Sequence, residues 1–102
     1  MRYEISDESG GPTLVLRDQL TFGDRSAFEG VIAKLLARRA QRARVDLSAL
    51  EYMDSAGLGM LLTLRDQAER AGMEVALKNP KAEVRELLVL ACFDTLFAIE
   101  ED

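Results

Sequence analysis

The sequence predicts a single α/β domain built around a mixed β-sheet, with a β-hairpin at one edge and mostly parallel strands elsewhere. The first observation is the alternation of strand-like and helix-like apolar patterns in the order β-β-α-β-α-β-α-β. Strands separated by helices need crossover connections, which make neighbouring strands parallel. The second observation is a Gly-Gly-Pro turn between the first two strands, which predicts an antiparallel hairpin. A chain of 102 residues has room for one domain, residues 1–102.

The hairpin and the first helix occupy the N-terminal part of the chain. Strands are predicted at residues 2–6 and 13–16, on either side of the turn. A helix is predicted over residues 22–39, with Thr21 as its N-cap three residues before Asp24. Its apolar stripe recurs every three or four residues and consists of Phe28, Val31, Ile32, Leu35 and Leu36.

The rest of the chain is predicted to form three further strands and two helices. The strands are predicted at residues 44–48, 74–78 and 96–99. Residues 50–53 lead into the second helix, which ends at Gly72, a typical C-terminal stop. Asn79 and Pro80 are predicted as the cap and first residue of the third helix. The predicted inner faces are Leu58, Leu61, Leu62 and Ala68 in the second helix and Val84, Leu87, Leu88 and Ala91 in the third.

The side-chain inventory argues against an enzyme. The chain has no histidine, which excludes Ser-His-Asp and Cys-His catalysis, a histidine phosphorelay and histidine metal sites. Carboxylate or lysine chemistry has no visible constellation of residues, and no cofactor or metal site is predicted. Cys92 is the only cysteine, in an apolar setting typical of a small buried side chain.

Charge and hydropathy indicate a cytoplasmic protein that binds no nucleic acid and does not insert into membranes. The net charge of −5 repels a polyanion, and the basic stretch at residues 38–44 coincides with a predicted helix end, where cations are favourable. No apolar run approaches the roughly 20 residues of a membrane span. The N-terminus also lacks the pattern of a signal peptide.

Residues 53–61 depart from simple core patterning, because Gly57 and Gly59 lie in a predicted helix where each costs about 1 kcal/mol relative to alanine. Asp54 and Ser55 are both good N-cap residues for its first turn. One interpretation is a capped helix start whose glycines allow tight packing on the sheet. The other is an exposed helix N-terminus that offers a hydroxyl to a partner, with Gly57 open to the partner's approach and Gly59 serving packing. A phosphate on Ser55 would meet free amide donors and the positive end of the helix dipole.

Two known signatures fit these residues poorly. The dinucleotide-binding fingerprint could begin at Gly57, but Leu62 stands in place of its third glycine. A response-regulator receiver could use Asp46 as its phosphoacceptor. However, the first strand runs into a hairpin rather than a helix, and no lysine follows the final strand.

A resemblance to a known family rests on two segments, residues 45–48 (Val-Asp-Leu-Ser) and residues 52–62 (Tyr-Met-Asp-Ser-Ala-Gly-Leu-Gly-Met-Leu-Leu). They resemble the STAS domain, and more narrowly the bacterial anti-sigma factor antagonists, through a D-S-[SA]-G-L-G core between a strand and a helix. The resemblance covers nearly the whole chain and implies a monomer whose helices are stacked on one face of the sheet. The chain departs from the family at residues 18–21 (Asp-Gln-Leu-Thr), where many members have Gly-x-Leu-Asp.

This resemblance implies a partner-switching cycle. The unphosphorylated antagonist binds an anti-sigma factor that is also a serine kinase, and the sigma factor is freed. The kinase uses ATP and magnesium to phosphorylate Ser55, which releases the complex, and a PP2C-type phosphatase restores the unmodified form. Because Ala56 replaces a second serine common in the family, Ser55 is the only acceptor in the motif. The implied partner-binding residues are Asp54, Ala56, Gly57, Leu58, Thr21 and Asp24.

An alternative function keeps the STAS domain without the phosphoswitch. In this alternative the chain is an accessory subunit that docks permanently on a membrane ABC transporter through its helix faces. Serine at position 55 favours the phosphoswitch. A neighbouring gene for a serine kinase or a PP2C phosphatase would support the first function, and a transporter operon would support the second.

Overall fold

Five strands and three helices follow the predicted order in the computed structural model, which describes all 102 residues. The strands are β1 (Arg2–Glu8), β2 (Gly11–Leu20), β3 (Arg42–Met53), β4 (Glu74–Lys78) and β5 (Ile99–Glu100). The helices are α1 (Arg25–Leu36), α2 (Ser55–Arg70) and α3 (Ala82–Leu90), with short 3-10 turns at Phe22–Asp24 and Phe93–Thr95. The strands lie in the sheet in chain order, with β1 antiparallel to β2 and the other neighbours parallel. The predicted mixed sheet with a hairpin edge is confirmed.

The helices cover one face of this sheet, as the family resemblance implies. The strands from β2 to β5 follow one another across the sheet, so right-handed crossovers place every helix on the same side. Burial alternates accordingly along β3, where Ala43, Val45 and Leu47 are buried and Arg42 and Ser48 are exposed. On the opposite face, charged side chains pair across strands.

The predicted helix over residues 22–39 is wrong at both ends, because α1 covers only Arg25–Leu36. The Thr21 N–H donates to the Asp24 carboxylate (2.9 Å), and the Asp24 N–H donates to the Thr21 carbonyl (2.8 Å). This reciprocal pairing closes the 3-10 turn, so Thr21 caps that turn rather than α1. Beyond α1, Arg39 adopts a left-handed φ of 54° and cannot continue the helix. The predicted stripe is confirmed, with Leu36 half-buried and the other four buried: Phe28, Val31, Ile32 and Leu35.

Both β2 and β3 extend beyond the predicted strands, and β3 takes in residues 50–53, which were expected to lead into α2. The two strands pair in parallel as far as Leu20 and Met53. The pairing contains register shifts near Asp18, which has a left-handed φ of 70°. With these shifts the two strands stay paired to their last residues. Local patterning does not reveal this extension because the neighbouring strand stabilises it. The ends of β2 and β3 therefore meet at one edge of the sheet.

One stripe of α2 packs against the sheet, and its residues recur every three or four positions: Gly57, Met60, Leu61, Leu64 and Ala68. The predicted inner face is confirmed at Leu61 and Ala68. It is wrong at Leu62, which is 39% exposed. Successive helical residues are about 100° apart, so a helix that turns Leu61 and Leu64 inward turns Leu62 toward solvent.

The elements after α2 are the predicted ones, with one cap displaced. The predicted stop at Gly72 is confirmed by its left-handed φ of 76°, and β4 spans residues 74–78 as predicted. The prediction that Asn79 and Pro80 begin α3 is wrong, because its N-cap is Lys81. Asn79 instead binds the end of the chain through two hydrogen bonds with Asp102 (2.9 and 3.0 Å).

The last strand and the single cysteine also differ from expectation. A strand was expected at residues 96–99, whereas β5 covers only Ile99–Glu100. The segment before it begins with the 3-10 turn Phe93–Thr95. Phe93 in this turn stacks on Phe97, which follows the turn, with ring centroids 5.6 Å apart, and both side chains are buried in the core. The prediction of a buried Cys92 is wrong, since the residue is exposed and follows α3 with a left-handed φ of 61°.

None of the three helices is both long and apolar enough to cross a membrane. The longest, α2, has 16 residues, against the roughly 20 that a span needs. The other two, α1 and α3, have 12 and 9 residues.

Candidate functional site

The predicted switch residue lies where β3 passes into α2. Asp54 is extended, with φ of −101° and ψ of −176°, and is the N-cap of α2. Ser55 is the first residue of α2 and is exposed. Of the two cap candidates, the structure therefore selects Asp54 and leaves the Ser55 hydroxyl at the surface.

The Asp54 carboxylate joins two chain segments at this edge of the sheet. Its Oδ1 accepts a hydrogen bond from the Gly57 N–H (2.9 Å), which satisfies one of the free donors at the helix start. Its Oδ2 accepts from the Phe22 N–H (3.2 Å), 32 residues earlier in the chain. The Asp54 N–H also donates to the Leu20 carbonyl (3.4 Å). These bonds fix the segment after β2 beside the start of α2.

The first turn of α2 retains unsatisfied amide donors next to Ser55. The Gly57 N–H is bound by the Asp54 side chain, and the Leu58 N–H donates to the Asp54 carbonyl (3.2 Å). The amides of Ser55 and Ala56 have no helical acceptor, because the first residues of a helix never do. Ala56 and Leu58 are half-buried. The site thus combines a hydroxyl with free amide donors at the positive end of the helix dipole.

Thr21 and Asp24 lie at the same edge, on the turn that carries Phe22. The Asp24 carboxylate accepts from the Thr21 N–H (2.9 Å) and from the Met1 ammonium group (3.1 Å). Partial burial raises the pKa of the Asp24 carboxyl, but the hydrogen bonds from Thr21 and Met1 lower it by more, so the pKa lies below its usual value. The structure therefore brings these two predicted residues to the site with the Asp24 oxygens already bonded within the chain.

Ionised Asp24 is expected to stabilise the fold above about pH 4 and to account for part of the stability lost on acidification. Because its pKa is lower in the folded chain, ionised Asp24 stabilises the fold above the unfolded value of about 3.9, and this stabilisation is lost as the pH falls through the folded pKa. Asp24→Asn should therefore melt at a lower temperature at neutral pH and lose less stability on acidification. Thermal melts across the acid range test this, with Asp94→Asn as the control, since Asp94 is an exposed carboxylate elsewhere in the chain. An unchanged acid profile for Asp24→Asn would contradict it.

The two glycines of the motif have the opposite placements to those expected. Gly57 is buried, where a Cβ would overlap the Leu20 carbonyl oxygen and lie 2.5 Å from the Met53 Cγ. Gly59 is exposed, with nothing within 4 Å of the position a Cβ would take. The expectation that Gly57 is open to a partner and Gly59 packs on the sheet is therefore wrong. Gly57 serves close packing of α2 on β2, and Gly59 faces solvent.

Two exposed aromatic residues lie near the site and were not predicted from the sequence as functional residues. Phe22, in the 3-10 turn after β2, is 64% exposed, and Tyr52, near the end of β3, is 57% exposed. The Arg25 guanidinium lies 5.4 Å from the centroid of the Phe22 ring. Phe22 also borders a groove of about 530 Å³ between α1 and α2, which Met60 and Thr63 line from the α2 side. The sequence does contain one feature that could have indicated Phe22: it is an aromatic residue beside Gly23 that does not belong to the apolar stripe of α1.

Solved structures share this fold. An anti-sigma factor antagonist from Mycobacterium paratuberculosis superposes with a TM-score of 0.79 at 22% identity, covering 97% of this chain and 84% of its own. The anti-sigma factor antagonist SpoIIAA in its unphosphorylated form gives 0.77 at 19% identity, covering 99% and 88%. The phosphorylated form of the Bacillus protein SpoIIAA gives 0.71 at 17% identity, covering 99% and 91%.

Sequence comparison reaches a family as well as a fold. A STAS-domain containing protein of Pseudomonas aeruginosa (strain UCBPP-PA14) is 36% identical over 87 residues, which cover 85% of each chain. The family model described as "Mlab, STAS domain" matches residues 3–99. This match takes in nearly all of the sheet, the three helices and the Asp54–Ser55 site. The chain therefore belongs to the STAS domain family.

Proposed function

We propose that this STAS domain is an anti-sigma factor antagonist, which binds a serine-kinase anti-sigma factor when unphosphorylated and is released when Ser55 is phosphorylated. The observation that carries the proposal is the exposed Ser55 hydroxyl at the first position of α2, directly after the Asp54 cap. SpoIIAA, an antagonist of the same fold, has been solved in unphosphorylated and phosphorylated forms. A PP2C-type phosphatase would return the chain to its binding form.

The free protein can accommodate a phosphate at Ser55. A phosphate adds about −1.5 to −2 charges at pH 7, next to Asp54 on a chain whose net charge is already −5. The free amides of Ser55 and Ala56 and the helix dipole offset this charge. Water solvates the remaining phosphate oxygens, because Ser55 is exposed. The fold is therefore expected to be nearly insensitive to the modification.

A bound partner cannot accommodate the phosphate as easily. A protein packed over Ser55 and the half-buried Ala56 and Leu58 would have to remove water from the phosphate and match its charge. A badly matched buried charge costs about 2–5 kcal/mol, which weakens binding by tens to thousands of fold. This difference between free and bound states is the physical basis of the proposed switch.

The proposal extends to the surroundings of the protein. We propose that the domain acts as a monomer in the cytoplasm without binding nucleic acid. The basic stretch that could have contacted a polyanion is partly neutralised, because Arg38 pairs with Asp7 (3.1 Å) and Arg44 pairs with Glu100 (2.7 Å). No cofactor is needed for the proposed function, and ATP and magnesium belong to the kinase.

Phosphorylation of Ser55 is the direct test. The chain would be incubated with ATP, magnesium and, one at a time, each purified serine-kinase anti-sigma factor of the source organism. One of them should add a single phosphate, which peptide mass spectrometry places on Ser55. Ser26 is the matched control, since it is an exposed serine in the first turn of α1. Ser55→Ala should abolish the modification, and Ser26→Ala should leave it unchanged.

Two results would contradict the proposal. One is phosphate on Ser26 or elsewhere in place of Ser55. The other is a combined result, in which no kinase modifies Ser55 and the chain binds an ABC transporter component stably. That result would support the accessory-subunit alternative.

A further inference from the structure

The segment after β2 presents an aromatic side chain for which the fold has no evident use. Phe22 is 64% exposed, although neighbouring apolar residues of α1 are buried in the core. Phe22 lies on a turn that contacts α2, and Arg25 stacks over its ring at 5.4 Å. Exposed aromatic and arginine side chains are the residue types that dominate binding energy in protein interfaces.

Helix capping alone does not require an aspartate at position 54. Serine, threonine and asparagine cap helices about as well as aspartate, because capping needs a single acceptor oxygen. Asp54 uses one oxygen for this purpose, in the bond from the Gly57 N–H (2.9 Å). Its second oxygen accepts the Phe22 N–H (3.2 Å). A side chain with two acceptor oxygens is therefore needed for the bond to the Phe22 turn, and not for the cap.

We propose that Asp54 is a positioning residue, which holds Phe22 next to Ser55 so that the serine-kinase anti-sigma factor recognises both residues as one surface. This inference rests on the proposed function and names a recognition element of the same site. In this proposal Phe22 is the aromatic anchor of the interface. The hydrogen bond between the Phe22 N–H and Asp54 fixes the position of Phe22 relative to the Ser55 hydroxyl. The kinase supplies the chemistry, so the loss of either residue should affect recognition of the substrate rather than the transfer step.

The test is a double-mutant cycle on the phosphorylation kinetics of Ser55, with the purified anti-sigma factor kinase that modifies the wild-type chain. Phe22→Ala should raise KM by about 30-fold, as for an interface anchor, with kcat nearly unchanged. Asp54→Asn keeps one acceptor oxygen, so it can cap α2 but cannot also hold the Phe22 amide. It should raise KM by about fivefold to tenfold, the loss typical of one hydrogen bond. The double variant should be no worse than Phe22→Ala alone.

Two controls separate recognition from folding. Asp46→Asn alters another carboxylate that accepts a backbone N–H, that of Ser48 (2.9 Å), away from the site. Leu90→Ala removes a different exposed apolar side chain, which is 75% exposed on α3. Both should leave KM unchanged. In Asp54→Asn, the melting temperature should stay close to that of the wild type, while the Phe22 amide should exchange with solvent about tenfold faster.

The results distinguish this inference from the proposed function. If the wild-type chain is phosphorylated on Ser55 but Asp54→Asn keeps the wild-type KM, the inference alone is overturned. It is equally overturned if the effects of Phe22→Ala and Asp54→Asn multiply in the double variant, since that would show independent roles. If no anti-sigma factor kinase modifies or binds the wild-type chain, the proposed function is overturned and the inference with it.

Discussion

Gly57→Ala is expected to destabilise the fold by about 3 kcal/mol, the upper part of the range for an overpacked core. The added Cβ would overlap the Leu20 carbonyl oxygen and lie 2.5 Å from the Met53 Cγ. The Met53 side chain can move, but the Leu20 carbonyl is backbone in the strand paired with β3. Relief of the overlap therefore requires α2 to shift away from the sheet. Urea unfolding monitored by circular dichroism measures the loss.

Gly59→Ala is the matched control and is expected to have the opposite effect. Nothing lies within 4 Å of a Cβ at Gly59, and alanine favours a helix over glycine by about 1 kcal/mol. The two variants should therefore differ by about 4 kcal/mol in the free energy of unfolding, although each adds one methyl group to the same helix. Equal stabilities would contradict the assigned packing of α2.

An exposed glycine that weakens a helix without any packing role calls for another explanation. Ser55, Gly59 and Thr63 are four residues apart, so they form one row along the exposed side of α2. In the proposed complex, Gly59 would allow the partner's backbone to approach close to the helix beside Ser55. Gly59→Leu should accordingly keep a folded protein with weaker binding to the anti-sigma factor, which calorimetry would measure.

Local periodicity was sufficient to predict most elements of the fold. The stripe of α1, the strand at residues 74–78 and the helix stop at Gly72 each depend on residues close together in the chain. The start of α3 was misplaced because Asn79 has a long-range partner, Asp102, which no local pattern reveals. The second halves of β2 and β3 were missed for the same reason, since each is stabilised by pairing with the other.

The candidate site was predicted in part. The roles of its glycines and one long-range hydrogen bond were missed. The motif indicated a capped helix start at Asp54 or Ser55, and the structure places the cap at Asp54 and leaves Ser55 exposed. The roles of Gly57 and Gly59 depend on which side of the helix meets the sheet. Gly57 shares the spacing of Leu61 and Leu64, so including it in the apolar stripe would have predicted its burial. The hydrogen bond that the Phe22 N–H donates to the Asp54 carboxylate could not be predicted, because it joins segments 32 residues apart.

Phosphorylation of Ser55 is expected to weaken binding to the anti-sigma factor by tens to thousands of fold, as the cost of burying a badly matched phosphate implies. Ser55→Asp should weaken binding by less, because it carries one negative charge and fewer acceptor oxygens. Ser55→Ala should bind about as tightly as the unmodified chain, since it removes only a neutral, exposed hydroxyl. Isothermal titration calorimetry with the purified anti-sigma factor kinase measures all three.

The folded state of these variants should remain almost unchanged, and this separates a switch from a structural defect. The charge at Ser55 lies at the positive end of the α2 dipole, so melting temperatures of the phosphorylated, Ser55→Asp and Ser55→Ala forms should stay close to that of the unmodified chain. Ser9→Asp places the same charge in the exposed β1–β2 turn, away from the α2 N-terminus, and should leave binding intact. A Ser55→Asp variant that binds as tightly as Ser55→Ala would refute the phosphoswitch, because a charge at this position would then carry no cost in the complex.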